Sequence, residues 1–476
     1  MTLRRRLVTA LACTLSLGVL APGLAGCTGP TSVPGEPWPT TRGPGPEGIP
    51  EVRLSYDFAD DLTTVTGTEL VSFVPDRSVC EVVFRAWPNK PATAESGSSL
   101  RVGRVRVGGA DVEYRVLAAG APDGVPGTLV EGRLPKCVQP GTRIDAALDF
   151  TLTLGANADE RMGVDPVNEI AWLGTAFPLL AWQRGVGWVR DDAEAVSGEM
   201  ATSETFDLKS LEVDAPSRYA VAGVGTATET LDGRRTGRTL HVFTAPAMRD
   251  VAVTVGRIAI TDAEAAGTRI HLVTPEESDG DRIGELREAV TDSLTRLRGL
   301  LGPVPYDDLW ISFLPPVSEG VELTGAVQLA EIRPREDFWL VTHELAHQWF
   351  YGLVGNNQAK DPWLDESLAS YVQEVVAPEG LGRARRAAEG RLGAPMSYFA
   401  ERRRSVDVYV DTVYTYGAGV LIDIRRSAGA DVMDEAVRGY LRDNAHRIAA
   451  PADLRTALAD VPGADEALAD AGAWDG

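Results

Sequence analysis

Histidine is scarce in this chain, five in 476 residues, yet two occur in the segment VTHELAHQWF (341–350), four positions apart with a glutamate between them. On a helix, residues i and i+4 share a face, so His343 and His347 present two imidazoles side by side at a spacing that can grip one metal ion. Glu344 stands about 100° of arc from His343, where its carboxylate can reach a water beside the metal without ligating the metal. Catalytic zinc takes three protein donors and keeps one position open. The third donor expected is Glu366 in DPWLDESLASY, after eighteen intervening residues, because Asp361-Pro362 breaks the chain and lets a second helix start near Trp363. An H-E-x-x-H helix joined to a later carboxylate is an arrangement for metal-assisted hydrolysis.

The elements that must position these groups follow from periodicity. Phe338, Val341, Leu345 and Trp349 give the 338–350 helix an apolar face opposite the histidines, with Asp337 as its expected N-cap. Upstream, TRIHLVT reads as a strand, and DRIGELREAVTDSLTRLRGLLG carries Ile283, Leu286, Ala289, Val290, Leu294 and Leu297 at helical spacing before Gly302-Pro303. Strands are expected at 309–314 and 325–332, and helices through most of the rest. From 51 to 265 short alternating runs such as VRLSYDF and CEVVFRAW, separated by Gly, Pro and Asp, predict strands. The fold class expected is therefore α+β and multidomain: an all-β saddle or sandwich over 51–265, then an α/β unit over 266–476 that becomes mostly helical.

Composition narrows the setting. Hydrophobic content of 44% with ten tryptophans supports large buried cores. A formal charge of −22 argues against nucleic acid as a partner, since phosphate binding needs a basic surface. The N-terminus has Arg4 to Arg6, then an apolar run from Leu7 to Leu20, the plan of a secretory leader. Its end, Leu24-Ala25-Gly26-Cys27, resembles a bacterial lipobox. Residues 1–26 are then a lipoprotein signal peptide, and Cys27 carries a lipid that anchors the chain to the outer face of the cytoplasmic membrane. Residues 27–50, dense in Pro, Gly and Thr, read as a tether reaching roughly 70 Å when extended. Of four cysteines, Cys13 lies in the leader and Cys27 carries lipid, leaving Cys80 and Cys137 as an even pair for a disulfide in an exported chain.

HELAHQWF, the eighteen-residue interval and WLDESLASY together resemble the M1, aminopeptidase N-like family of zinc peptidases, whose catalytic domain is thermolysin-like. Two further segments fit. EGVELTG (319–325) is similar to the family's Gly-x-Met-Glu-Asn loop, which implies that Glu322 binds the α-amine of a peptide with a free N-terminus. VYTYGAGVL (413–421) is similar to the family's Tyr-x-Lys-Gly-Ala stretch, which implies that Tyr414 stabilises the oxyanion. NEIAWLGTAFPLLAW resembles the segment before the family's Phe-Pro and puts Glu169 near the amine pocket. Val321 and Leu323 replace the loop's Met and Asn, Tyr416 replaces the lysine, and Asp365 and Ser367 flank the third ligand where Asn and Gly are usual. The chain ends soon after Trp474, a short form without the C-terminal helical domain of many relatives. The resemblance implies one zinc ion per chain on His343, His347 and Glu366, with Glu344 as the base of an aminopeptidase at the cell envelope. A zinc endopeptidase and a peptide-binding lipoprotein without turnover are the alternatives on the same scaffold.

Overall fold

The computed structural model describes residues 37–39, 48–156, 161–196, 204–315, 317, 319–378, 384–403 and 405–475. The expected leader, the lipidation residue Cys27 and most of the expected tether lie outside the described residues.

Strict alternation builds the first unit. In Glu51–Phe58, Val52, Leu54, Tyr56 and Phe58 are buried while the residues between them keep contact with solvent. Thr64–Phe73 repeats the pattern, and the two strands pair antiparallel. They lie inside an eight-stranded sheet, flanked by the parallel neighbour Phe206–Pro216 on one side and by Ile144–Thr153 on the other. Two four-stranded sheets share its hydrophobic core. One of them holds Val79–Arg85 against Leu129–Val138, and the Cys80–Cys137 disulfide joins these two strands. Closing a loop of 57 residues stabilises the fold by about 4 kcal/mol in the chain-entropy model.

The second unit is a five-stranded sheet with helices. Its strands are β1 (Ile258–Ala265), β2 (Thr268–Pro275), β3 (Asp308–Phe313), β4 (Gly320–Leu323) and β5 (Ala326–Leu329), in the spatial order β1-β2-β3-β5-β4. The boundary expected at 265/266 is corrected by this sheet. It falls in the turn of the β1–β2 hairpin, so the second unit begins near Ile258. The β pattern runs on through the sequence there, and only strand pairing assigns β1 to the second sheet.

Three helices matter for the site: α1 (Gly280–Leu301), α2 (Phe338–Ala346) and α3 (Trp363–Val376). Of the stripe its spacing predicts, helix α1 buries Leu286, Ala289, Val290, Leu294 and Leu297, while Ile283 in the first turn is half-buried. Helix α2 stops at Ala346, short of the expected 350, because Gln348 and Trp349 donate to carbonyls three residues back and tighten the last turn. Asp337 occupies the N-cap position, but its carboxylate accepts from the Arg333 N–H (2.8 Å) instead of from the helix.

The two units are stitched at a buried seam. Asp250 accepts from the N–H (2.8 Å) and hydroxyl (2.6 Å) of Thr324, just after β4, and from the hydroxyl of Tyr351, just after α2. Tyr351 has φ +99°, a conformation costly for a side chain of its size, and this contact helps to hold it. Arg249 donates to the carbonyls of Gly352 (3.1 Å) and Arg447 (2.8 Å). The expected tether also touches the fold. The Trp38 indole donates to the Pro303 carbonyl (2.7 Å), which also accepts from Trp349 (3.0 Å), so the stretch 27–50 is not a free tether over its whole length. Among the described residues no helix is long and apolar enough to cross a membrane.

Candidate active site

A cleft of about 1040 Å³ opens between the β unit and the helical unit. Its floor is α2 and α3, its side is the free edge of β4, and the short helix Pro91–Glu95 reaches it from the first unit.

Three donors meet at the floor. The Nε2 atoms of His343 and His347 are 3.2 Å apart, and each lies 3.3–3.4 Å from Oε2 of Glu366. All three side chains are buried. Glu366 comes from the first turn of α3, which starts one residue after Pro362. Their fit to zinc can be tested from distances alone. Donors about 2.0–2.1 Å from one tetrahedral centre stand about 3.3–3.4 Å from each other, close to what is found. The Glu366 Oε2 atom is buried without a hydrogen-bond partner, the condition of a group waiting for a cation. The Nδ1 of His347 faces the Phe350 carbonyl at 3.1 Å; a carbonyl only accepts, so Nδ1 carries a proton and Nε2 is the nitrogen turned to the centre, where a bound cation would take the place of its own proton.

Electrostatics agree with geometry. Burial alone would lower the His347 pKa, but the carboxylates of Glu366, Glu322 and Glu344 outweigh it and hold the value well above the ordinary imidazole range. Burial would raise Glu366, and the two imidazoles overcome that to push it below the usual carboxylate range. The cluster stabilises positive charge strongly. Behind it, Asp365 accepts from Asn356 (3.0 Å) and Gln358 (2.7 Å), while burial and Glu366 lift its pKa to about 7.

Glu344 lines the cleft beside the donors, against Gly320 of β4. A Cβ at Gly320 would stand 2.5 Å from the Glu344 carboxyl carbon, so only glycine leaves the carboxylate its place. Tyr414 also lines the cleft, its ring stacked on His343 at 5.7 Å between centroids. It sits in a π-helical turn over Val410–Tyr416, where Ser367 of α3 donates to the Val413 carbonyl (2.5 Å). Glu322 lies on β4, 3% exposed, and accepts from Gln358 (3.2 Å).

Glu169 is not brought to the site, a correction to the expected amine pocket. It occupies a turn at φ +50°, its side chain 40% exposed, bound to Arg257 (2.6 Å) and Tyr219 (2.9 Å), and it does not line the cleft. The turn aims it at Arg257 on the outer surface. The first unit brings Arg161 instead, buried, with Nη2 3.9 Å from Glu322. Sequence reasoning missed Arg161 and Gln358, because neither lies in a patterned segment and both approach Glu322 only through folding.

Residues 328–470 match the family model described as the Peptidase family M1 domain. The chain is 33% identical over 135 residues to the membrane alanyl aminopeptidase of Heliothis virescens, covering 25% of this chain and 13% of that one. It is 32% identical over 105 residues to aminopeptidase RNPEPL1 of Mus musculus, covering 21% and 15%. The matches thus span a small part of these longer proteins. The structure of an M1 zinc metallopeptidase from Deinococcus radiodurans superposes with a TM-score of 0.62 at 16% identity, over 90% of this chain and 94% of that one. A mutant of that enzyme, bound to a Tyr-Ser-Ala substrate, has the same TM-score at 17% identity and similar coverage. At such identities the likeness is one of fold.

Proposed function

This chain is a member of the M1 family of zinc metallopeptidases, and from that premise we propose that it is an aminopeptidase, removing N-terminal residues from peptides at the bacterial cell envelope. His343, His347 and Glu366 would hold the zinc, which when bound supplies Lewis acidity to a carbonyl and to water. The chain's own groups do the rest. Glu344 takes a proton from the attacking water and passes it to the leaving amine. Tyr414 donates to the oxygen that gathers negative charge, a contribution of about 3 kcal/mol to the transition state when one such donor acts. The open edge of β4 can pair with an extended peptide backbone, and Glu322 at that edge takes its ammonium.

The observation that carries the reading is the place of Glu322: a buried carboxylate on the edge strand, lining the same cleft as His343, His347 and Glu366. The envelope setting draws support from the leader pattern, from Cys27 after Leu24-Ala25-Gly26 and from the Cys80–Cys137 disulfide, which suits an oxidising compartment. The decisive experiment compares peptides with free and acetylated N-termini. Glu322→Ala is expected to lower kcat/KM on free-amine peptides by roughly 10²–10³, the loss of a buried charge partner. A second reading, an endopeptidase, draws on Arg161, which competes for the Glu322 carboxylate. Wild-type cleavage of acetylated peptides at an equal rate would favour it and end the aminopeptidase assignment.

A further inference from the structure

The direction in which a substrate crosses the cleft follows from how β4 lies along α2. At one end, Gln348 donates to the carbonyls of Leu323 (3.0 Å) and Ala326 (3.3 Å) and accepts from the Gly325 N–H (3.0 Å), which ties the turn after β4 to the segment just past α2. At the other end, Gly320 abuts Glu344. Travelling from Glu322 to Gly320 therefore means travelling from the His347 end of α2 towards its N-terminus. A peptide whose ammonium rests on Glu322 and whose first carbonyl lies at the metal donors must continue past Glu344 to the first turn of that helix.

That turn carries Trp339 and Leu340, one helical turn before His343 and Glu344 and on the same face. Trp339 is 39% exposed, an unusual state for an indole on a helix that packs into a core. From another wall, Val406 (51% exposed) and Val410 (41% exposed) line the same cleft. Large apolar side chains left open together inside a cleft mark a surface that an apolar group covers. The cleft also holds nine carboxylate residues and one lysine among its described lining, which could instead draw a basic side chain. Two of those carboxylates at the α2 end, Glu331 and Asp337, are already paired with Arg282 and Arg333.

We infer that Trp339 and Leu340, with Val406 and Val410, form the subsite for the residue just after the scissile bond, and that this chain selects peptides with an apolar or aromatic second residue. The inference rests on the aminopeptidase reading and adds to it a class of substrate.

The experiment uses tripeptides Ala-X-Ala with free amines and X = Phe, Leu, Ser, Asp or Lys. Wild-type kcat/KM is expected to be about tenfold or more higher for Phe and Leu than for Ser, Asp or Lys, and Trp339→Ala to bring the Phe-to-Ser ratio near one. Val406→Asp, on an exposed side chain that folding does not depend on, is expected to move the preference towards Lys. Calorimetric binding of the same peptides to Glu344→Gln should give the same order without turnover. No cleavage of any tripeptide would count against the aminopeptidase reading itself. Cleavage with a flat profile, or with Lys preferred by the wild type, would overturn the apolar subsite and leave that reading standing.

Discussion

Glu344 and Glu366 are both buried carboxylates lining the same cleft as the two imidazoles, and their roles differ by direction alone. Glu366 turns an oxygen onto both Nε2 atoms, whereas Glu344 lies against Gly320 and faces the cleft. Glu344→Gln is isosteric and leaves the three donors untouched. It should retain one zinc per chain by metal analysis while kcat falls by roughly 10²–10⁴; zinc lost together with activity would mean that Glu344 is a ligand. Ser367 stands where relatives of this sequence pattern carry glycine. Its hydroxyl satisfies the Val413 carbonyl, next to Tyr414. Ser367→Ala removes this side-chain hydrogen bond to the helix, at a cost of about 1 kcal/mol, and loosens the tyrosine. The expected result is a lower kcat with KM and zinc content nearly unchanged.

At the scale of single elements, the strand Thr64–Phe73 contains a group that its alternation forces inward. Glu69 occupies a core-facing position between Gly67 and Val71, 1% exposed, with Oε2 lacking a hydrogen-bond partner. Burial raises its pKa well above 4.5. A carboxyl whose folded pKa exceeds the unfolded one binds its proton more tightly when folded. Its contribution to stability is complete below about pH 4.5 and is lost as pH rises towards the folded pKa. Glu69→Gln keeps the shape and removes the charge. Melting temperatures followed from pH 4 to pH 9 should separate from the wild type progressively, the variant gaining most at the alkaline end; parallel curves would show that Glu69 is solvated or paired. Helix α2 makes a different point. Its apolar face was readable, but its early end was not, because the tightening at Gln348 and Trp349 answers to the fold around them: Gln348 reaches back to the turn after β4, and Trp349 shares the Pro303 carbonyl with Trp38.

On the scale of the whole molecule, contacts between units decide how the site is held. Asp250, from the β unit, grips Thr324 beside the Glu322 strand and Tyr351 just past the helix of His343 and His347, so one carboxylate fixes the spacing between Glu322 and the donors. Trp38 fastens the N-terminal stretch to the carbonyl that Trp349 also uses. In a chain starting at residue 28, Trp38→Ala is expected to lower the melting temperature by a few degrees, the loss of a hydrogen bond worth about 1 kcal/mol and of partly buried ring surface. It should also open bonds near residue 38 to protease without changing kcat/KM. Equal protease resistance in the two proteins would show that the indole contact does not hold the segment.

The metal-binding set was legible from the sequence because its geometry is local. A four-residue interval on a helix fixes two imidazoles, and a helix started at Pro362 after a short excursion brings Glu366 back on its first turn. Strand alternation over 52–58, and most of the α1 stripe, were legible for the same reason. Tertiary structure alone decided that Glu169 faces Arg257, that Arg161 and Gln358 flank Glu322, that β1 joins the second sheet and that Trp339 opens onto the cleft. Each of those depends on which distant segments pack together, and side-chain periodicity carries no record of that choice.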